Sequence, residues 1–167
     1  MSVTSKKATI KKIEPSESLS LKSKELDFFY KILLLCESSK TPKGYKLKDY
    51  KIANKELQNF RKEKGIELIY NKTGEKWTEM SRESKYNEIQ FKRSDSRNIC
   101  ANLFVHLRHA FAHGYIEKDP TTNILHFQNY DPNAKNECVM DGRMTFENLS
   151  ELINKMLKTK SNEKENL

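Results

Sequence analysis

The residues best suited to chemistry stand in one ten-residue stretch, LRHAFAHGYI, which runs from position 107 to position 116. Arg108 is its single formal charge, with His109 beside it and His113 five positions after Arg108. A guanidinium keeps its charge and presents a planar fork of donors to phosphate oxygens. An imidazole titrates near neutrality, so it can take or give a proton. RNA cleavage by the 2′-hydroxyl beside a phosphate needs these groups: a base, an acid and positive charge at the phosphorane.

Arg108 and His113 also have ordinary structural roles open to them. His113 could bond one of the last carbonyls of its helix. Arg108 could form an ion pair with a carboxylate such as Glu117 or Asp95, which would not prevent a role in catalysis. On an ideal helix, positions five apart lie about 140° around the axis, so Arg108 and His113 of one chain do not converge directly.

Metal binding is an alternative chemistry for the histidines of this stretch. His106, His109 and His113 are spaced i, i+3, i+7, and imidazoles one turn apart can share a zinc ion. The helix offers no cysteine or acidic ligand close to them, so no metal and no other cofactor is expected. His126, the fourth histidine of the chain, is predicted to be an ordinary strand residue.

A helix that begins near Arg97 and ends at His113 must position these side chains. Its core stripe consists of Cys100, Leu103, Phe104, Leu107, Ala110 and Phe111. A second line, at a wide angle from the first, consists of Asn102, Val105, His106, His109 and His113. Since this second face is neither apolar nor charged, it is typical of a helix at the centre of a bundle or in a subunit contact. Ser94, Asp95 or Ser96 is the predicted N-cap.

Four further helices are predicted over residues 21–39, 47–64, 77–91 and 146–158, where apolar residues recur at helical spacing. Thr145 is the predicted N-cap of the last helix. After Gly114 the pattern changes to β-branched, aromatic and alternating residues, separated by the turn-like segments DPTT and DPNAKN. The sequence therefore predicts a mainly α fold, a helical bundle with a small antiparallel β-hairpin or three-stranded appendage before the last helix.

Length and composition indicate one domain with basic character. The chain has 167 residues, enough for a single core. Residues 1–20 are rich in Ser, Thr and Lys and predict a mobile basic tail, residues 21–158 form the predicted domain, and residues 159–167 form a second predicted mobile tail. The 31 Lys and Arg residues against 23 Asp and Glu residues give a net charge of +8. This excess favours polyanionic partners such as nucleic acid, although it equally serves solubility.

The cysteines and the apolar runs predict a cytoplasmic protein. Cys36, Cys100 and Cys138 are far apart, form no CxxC pair and stand in apolar runs, as is typical of core thiols in a reducing compartment. The N-terminus has no apolar signal core, and the longest apolar run, residues 32–36, is too short to cross a bilayer. No membrane partner is expected.

The pattern Arg108-His109-x-x-x-His113 resembles the R-[N/H]-x-x-x-H motif of the HEPN superfamily. These small helical-bundle proteins are often metal-independent ribonucleases of toxin–antitoxin and antiphage systems. LRHAFAHGYI is similar to the LRNAxAHG form of the motif, which a β-hairpin and a last helix follow in some members. The similar region spans about residues 94–158, and before it only the helix count is similar. His109 stands where the family most often has Asn, although His also occurs there.

The resemblance implies a HEPN-like domain that acts as a metal-independent endoribonuclease. Arg108 and His113 would be the catalytic pair, and His109 would orient the phosphate or a partner side chain. Attack by the 2′-hydroxyl would leave a 2′,3′-cyclic phosphate and a 5′-hydroxyl. The resemblance also implies a homodimer in which the two motif helices meet and line one cleft. The alternative is a catalytically inactive HEPN module that binds RNA or a protein partner.

Tyr115 completes a longer pattern, R-x4-H-x-Y. In some HEPN toxins a partner nucleotidyltransferase silences the protein by adenylylating that tyrosine. The resemblance therefore makes Tyr115 a candidate regulatory residue and an antitoxin or other regulator a candidate partner. Gly114 and the predicted strand after it depart from the usual local context of those toxins. The basic tail is an auxiliary candidate for an RNA-binding arm.

Overall fold

The computed structural model describes residues 10–15, 20–37, 50–78, 80, 82–94, 98–134 and 137–159. Within these residues the chain forms four helices and five strands. In chain order they are α1 (Ser23–Glu37), α2 (Lys55–Lys64), β1 (Glu67–Tyr70), β2 (Glu88–Phe91), α3 (Ile99–Ala112), β3 (Ile116–Lys118), β4 (Ile124–Asp131), β5 (Glu137–Thr145) and α4 (Phe146–Leu157).

The five strands form one mixed sheet in the order β1-β2-β5-β4-β3. β1 and β2 are parallel, and the other neighbours are antiparallel. The helices pack on one face of the sheet, because α3 contacts β4, α4 contacts β5, and α1 and α2 pack on α3 and α4 respectively. A register shift between Asn129 and Tyr130 leaves Val139 of β5 as an extra residue opposite β4.

The prediction of a helical bundle with a small β appendage is wrong. The strands form a five-stranded sheet that is part of the core, and side chains such as Ile89, Phe127 and Met144 are fully buried in one cluster with the helices. Residues 77–91, predicted to be helical, contain strand β2, and β1 occupies a segment to which the sequence assigned no element. Apolar patterns as short as EIQF and ELIY do not distinguish a strand from a piece of helix.

The start of α3 also differs from the prediction. Asn98 is the N-cap, and its Oδ1 accepts a hydrogen bond from the Ala101 N–H at 2.8 Å. Ser94 lies before the helix, where its N–H donates to Oδ1 of Asn102 at 3.0 Å, and residues 95–97 lie outside the described residues. The predicted N-cap of α4, Thr145, is confirmed.

The face of the sheet opposite the helices carries a buried polar network centred on Asp141. This fully buried carboxylate accepts hydrogen bonds from the Ser84 N–H at 2.7 Å, His126 Nε2 at 2.8 Å and Gln128 Nε2 at 2.9 Å. His126 lies in β4, as predicted. The network joins β4 and β5 to the segment that precedes β2.

Part of the predicted N-terminal tail lies against this polar face. The Ile13 N–H donates to Oε1 of Gln128 at 2.7 Å, and Nε2 of Gln128 donates to the Lys11 carbonyl at 2.9 Å. Thr159, in the predicted C-terminal tail, is also buried and accepts a hydrogen bond from the Lys51 N–H at 2.8 Å. Residues 1–9, 16–19 and 160–167 lie outside the described residues, so the tail boundaries stay a prediction.

Candidate active site

The helix end that carries the motif is fixed by Gly114, which has a φ of +70°. The Tyr115 N–H donates to the Ala110 carbonyl at 3.0 Å, and the Gly114 N–H donates to the Phe111 carbonyl at 3.4 Å. These two bonds form a Schellman motif, in which glycine is favoured because it adopts the left-handed conformation without strain. His113 is therefore held at the C-cap of α3, with an exposed side chain.

Arg108 forms an ion pair with Glu37, the last residue of α1. Nε of Arg108 donates to Oε1 of Glu37 at 2.9 Å, and Nη2 donates to the same oxygen. The carboxylate is thus neither Glu117 nor Asp95, the two that the sequence suggested, and Asp95 lies outside the described residues. Because the side chains of Glu37 and Arg108 are 60% and 32% exposed, this pair stabilises the fold by at most about 1 kcal/mol. Glu37 positions the guanidinium through an interaction weak enough for a phosphate to displace the carboxylate.

His109 connects Arg108 to His113. Nη1 of Arg108 donates to Nδ1 of His109 at 3.3 Å. Since a guanidinium only donates, Nδ1 carries a lone pair and the proton of the neutral ring is on Nε2. The His109 and His113 rings are parallel to within 4°, and their centroids are 6.0 Å apart. Both Arg108 and His113 are thus neighbours of the His109 ring.

Tyr115 lies in the same surface region as His113. The two ring centroids are 6.1 Å apart, and the Tyr115 ring meets the ring of Tyr130 edge-on at 5.2 Å. Nζ of Lys12 lies 5.5 Å from the centre of the Tyr115 ring. Tyr115 is half-buried, so a modification there would change the surroundings of His113.

His106 has both ring nitrogens engaged within the chain. Its Nε2 is 2.7 Å from the Lys92 carbonyl, and its Nδ1 is 2.8 Å from Nδ2 of Asn129. A metal ion would have to displace one of these bonds. In the part of the chain that the structure describes, no three His, Cys, Asp or Glu side chains are grouped so that they could hold a metal ion.

The cysteine nearest to the motif is not a nucleophile at neutral pH. Cys36 precedes Glu37 in α1, and burial raises the pKa of its thiol to about 11, although the charge of Arg108 acts to lower it. Burial alone raises the pKa of the Cys100 thiol in α3 to about 12. Protonated thiols are poor nucleophiles, so the reactive groups of this region are the guanidinium and the imidazoles.

A cleft of about 380 Å³ opens beside the stacked imidazoles. His109 and His113 line one side of it, and the ends of β4 and β5 line the other side through Asn129, Tyr130 and Val139. Arg108 is not among the described residues that line the cleft. The imidazole pair thus borders both the guanidinium, which donates to His109, and the cleft, whose lining also includes Lys92 and Asp131.

The family model described as HEPN pEK499 p136 matches residues 26–167. The chain belongs to this HEPN family. The match confirms the resemblance and extends it over α1 and α2, where the motif gave no information. Comparison with the curated proteins and with the solved structures gave no significant match.

Membership in the HEPN family indicates a nuclease-like module as the broad functional class. The roles of Arg108, His109, His113 and Tyr115 are not tested by the family match and stay predictions. Among the helices that the structure describes, none is long and apolar enough to cross a membrane.

Two residues that contact side chains of the motif helix could not be inferred from the motif. Glu37 is 71 positions from Arg108 in the chain, and only the fold brings the two together. Asn129 reaches His106 because β4 packs against α3. The segment FQNYD gave one signal for Asn129. This polar residue stands between Phe127 and Tyr130 in a predicted strand, and asparagine is unusual at a core position.

Proposed function

We propose that this HEPN protein is a metal-independent endoribonuclease. The observation that carries the proposal is the side-by-side arrangement of Arg108, His109 and His113 at an exposed helix end of a HEPN chain. A permanent cation and two imidazoles meet the needs of 2′-hydroxyl attack without a cofactor. The overall charge of +8 favours an RNA substrate.

Each residue has a definite role in the proposed reaction. A phosphate oxygen replaces the Glu37 carboxylate on the Arg108 fork, which then stabilises the charge of the phosphorane. His113 takes the proton of the 2′-hydroxyl as the O2′–P bond forms. As the P–O5′ bond breaks, the 5′-oxygen receives a proton from this imidazolium or from its copy in a second subunit. His109, with its proton on Nε2, orients the phosphate.

The first experiment asks whether the purified chain cuts RNA. Single-stranded RNA is cleaved and DNA is left intact, because DNA lacks the 2′-hydroxyl nucleophile. One product ends in a 2′,3′-cyclic phosphate or its hydrolysis product, and the other begins with a 5′-hydroxyl, which end-labelling and mass spectrometry detect. Activity survives EDTA. Loss of activity on chelation, with rescue by zinc, would contradict the proposed mechanism.

A homodimer through α3 belongs to the same proposal. Asn102 is buried by contacts within the chain, whereas Val105, His109 and His113 face the open cleft. A second copy that borders the cleft at Val105 would use the half of the uncharged face that the chain itself leaves open, and two-fold pairing is the commonest soluble assembly. A dimer would bring two imidazole pairs to one cleft.

Light scattering tests the assembly directly. The expected mass is twice the 19.6 kDa of the chain. Val105→Glu shifts the protein toward the monomer, because association would bury an unpaired charge. A single monomeric species of the parent chain at micromolar concentration would rule out a site composed of two copies.

The second candidate function is a catalytically inactive HEPN module that binds RNA or a protein partner. The observation that favours it is the ion pair of Arg108 with Glu37, which occupies two donors of the guanidinium fork. If the chain binds RNA or a partner protein but cleaves no RNA, with or without EDTA, this second function would be established instead.

The proposed ribonuclease acts in the cytoplasm as a toxin or as an antiphage defence protein. In that setting an antitoxin or another regulator restrains the activity. Tyr115 is the proposed site of such control, because its ring adjoins that of His113. An adjacent antitoxin or nucleotidyltransferase reading frame would support this assignment.

A further inference from the structure

The cleft beside the imidazoles has the chemistry of a nucleobase subsite. Val105, Pro132 and Val139 contribute apolar surface to its lining, and Tyr130 contributes an aromatic ring. Pockets for small flat ligands combine such walls with a few polar groups at fixed positions. Aromatic side chains at RNA sites stack on the faces of unpaired bases.

Asn129 is the polar group whose orientation is fixed. The Lys92 carbonyl can only accept, so Nε2 of His106 donates to it at 2.7 Å. In the neutral ring, Nδ1 of His106 then accepts from Nδ2 of Asn129 at 2.8 Å. This chain of bonds sets the direction of the Asn129 amide, which is 6% exposed and lines the cleft. The amide oxygen and the second N–H offer an acceptor and a donor side by side.

The order of the groups along the surface matches the order of the groups in a ribonucleotide. Arg108 donates to His109, and His109 and His113 line the cleft. In a ribonucleotide the ribose, with its 2′-hydroxyl, separates the base from the 3′-phosphate. A phosphate on Arg108 therefore places the 2′-hydroxyl at His113 and the base in the cleft.

We propose that the cleft binds the base of the nucleotide on the 5′ side of the cleaved bond and that Asn129 reads its edge. The assignment rests on the proposed ribonuclease function, because it takes the cleaved phosphate to lie on Arg108. A carboxamide pairs with a base edge that presents a donor next to an acceptor. Asn129 is thus a specificity-determining residue, and His106 positions it.

The test uses four RNA oligonucleotides that differ only in the base 5′ of the cleaved bond. The parent chain cleaves the preferred substrate about ten- to a hundred-fold faster than the poorest, as expected for an oriented amide reading a base. Asn129→Asp keeps the size of the side chain but replaces its donor by an acceptor, so the order of preference changes. Asn154→Asp makes the same chemical change on an exposed position of α4 and leaves the order unchanged.

Two results would overturn the assignment. One is equal cleavage of all four substrates by the parent chain, and the other is an unchanged order of preference in folded Asn129→Asp. If the chain cleaves RNA but gives either of these results, the proposed ribonuclease function stands and only the base subsite is ruled out.

A binding measurement separates the subsite from catalysis. The same four oligonucleotides are made uncleavable by a 2′-deoxy substitution at the nucleotide that precedes the bond. The dissociation constants of the four oligonucleotides for the parent chain are expected to rank in the same order as their cleavage rates. For Asn129→Asp, the range of these four dissociation constants is expected to be smaller. Equal dissociation constants for all four count against the subsite even where the protein cuts no RNA.

Discussion

His113→Ala is expected to cleave RNA about 10²–10⁴-fold more slowly than the parent chain, the range typical of a lost general acid–base residue. Arg108→Ala is expected to cleave RNA about 10²–10³-fold more slowly, the range typical of a lost donor to transition-state charge. His113→Ala removes the proton acceptor at the end of α3. Arg108→Ala removes the charge that stabilises the phosphorane, and it also removes the donor that fixes the His109 ring at 3.3 Å. Initial rates on a fluorogenic RNA, with product ends checked as above, measure both losses.

Two further variants separate charge from geometry at these positions. Arg108→Lys keeps the positive charge but loses the planar fork, so it also loses most of the activity. His109→Asn retains much of the activity, because an amide oxygen can accept from Arg108 as Nδ1 of His109 does and Asn is the commoner residue in the resembling motif.

Glu37→Gln is the matched control for Arg108→Ala. It removes the charge of the partner carboxylate and leaves the guanidinium in place. The pair is largely exposed, so its loss lowers the free energy of unfolding by at most about 1 kcal/mol. Circular dichroism establishes that each variant is folded. Folded Arg108→Ala and His113→Ala proteins that cleave RNA at the parent rate would disprove the assigned site.

The position of the motif residues at the end of a helix could be predicted from the sequence, because that geometry is local. The motif occupies ten consecutive residues, and Gly114 marks the helix end at which His113 stands. Hydrogen bonds between residues three to five positions apart fix that geometry, so helical periodicity and one glycine are enough to predict it.

The sheet could not be derived from the sequence in the same way, because its pairings are not local. β2 pairs with β5, so that Gln90 lies opposite Asp141 and Glu88 opposite Arg143. Within β2, Glu88 and Gln90 alternate with the apolar Ile89 and Phe91, but a pattern of only four residues is too short to distinguish a strand from a piece of helix. Partners close in the chain satisfy these buried side chains: Nη1 and Nη2 of Arg82 donate to the Glu88 carboxylate at 2.9 and 3.0 Å, and Nε2 of Gln90 donates to its Oε1 at 2.8 Å.

Because of the buried polar network around it, Asp141 is the position where a single substitution is expected to lower the free energy of unfolding most. Asp141→Ala leaves buried donors of Ser84, His126 and Gln128 without their acceptor. Removal of one member of a buried charged network costs about 3–5 kcal/mol. Urea unfolding of the variant, followed by circular dichroism, is expected to show a midpoint shifted down by that free energy with an unchanged slope.

Asp131→Ala provides the matched control on the same sheet. The Asp131 side chain is half-buried and accepts a hydrogen bond from the Asn133 N–H in the turn after β4. In this variant no buried donor loses its acceptor, so the free energy of unfolding changes by less than about 1 kcal/mol. Equal destabilisation of Asp141→Ala and Asp131→Ala would show that the Asp141 network does not hold the sheet together.

The pH dependence of stability gives an independent signature of Asp141. Burial alone would raise the pKa of this carboxyl, but the hydrogen bonds from His126, Gln128 and Ser84, with the charge of His126, hold it below its ordinary value of 3.8. A carboxyl whose pKa is lower in the folded state stabilises the fold above its unfolded pKa and loses that contribution as the pH falls through its folded pKa. The difference in free energy of unfolding between the parent and Asp141→Ala is therefore expected to narrow as the pH falls below about 3.8. A difference that stays constant down to the acid unfolding of the parent would mean that Asp141 acts through packing and not through its charge.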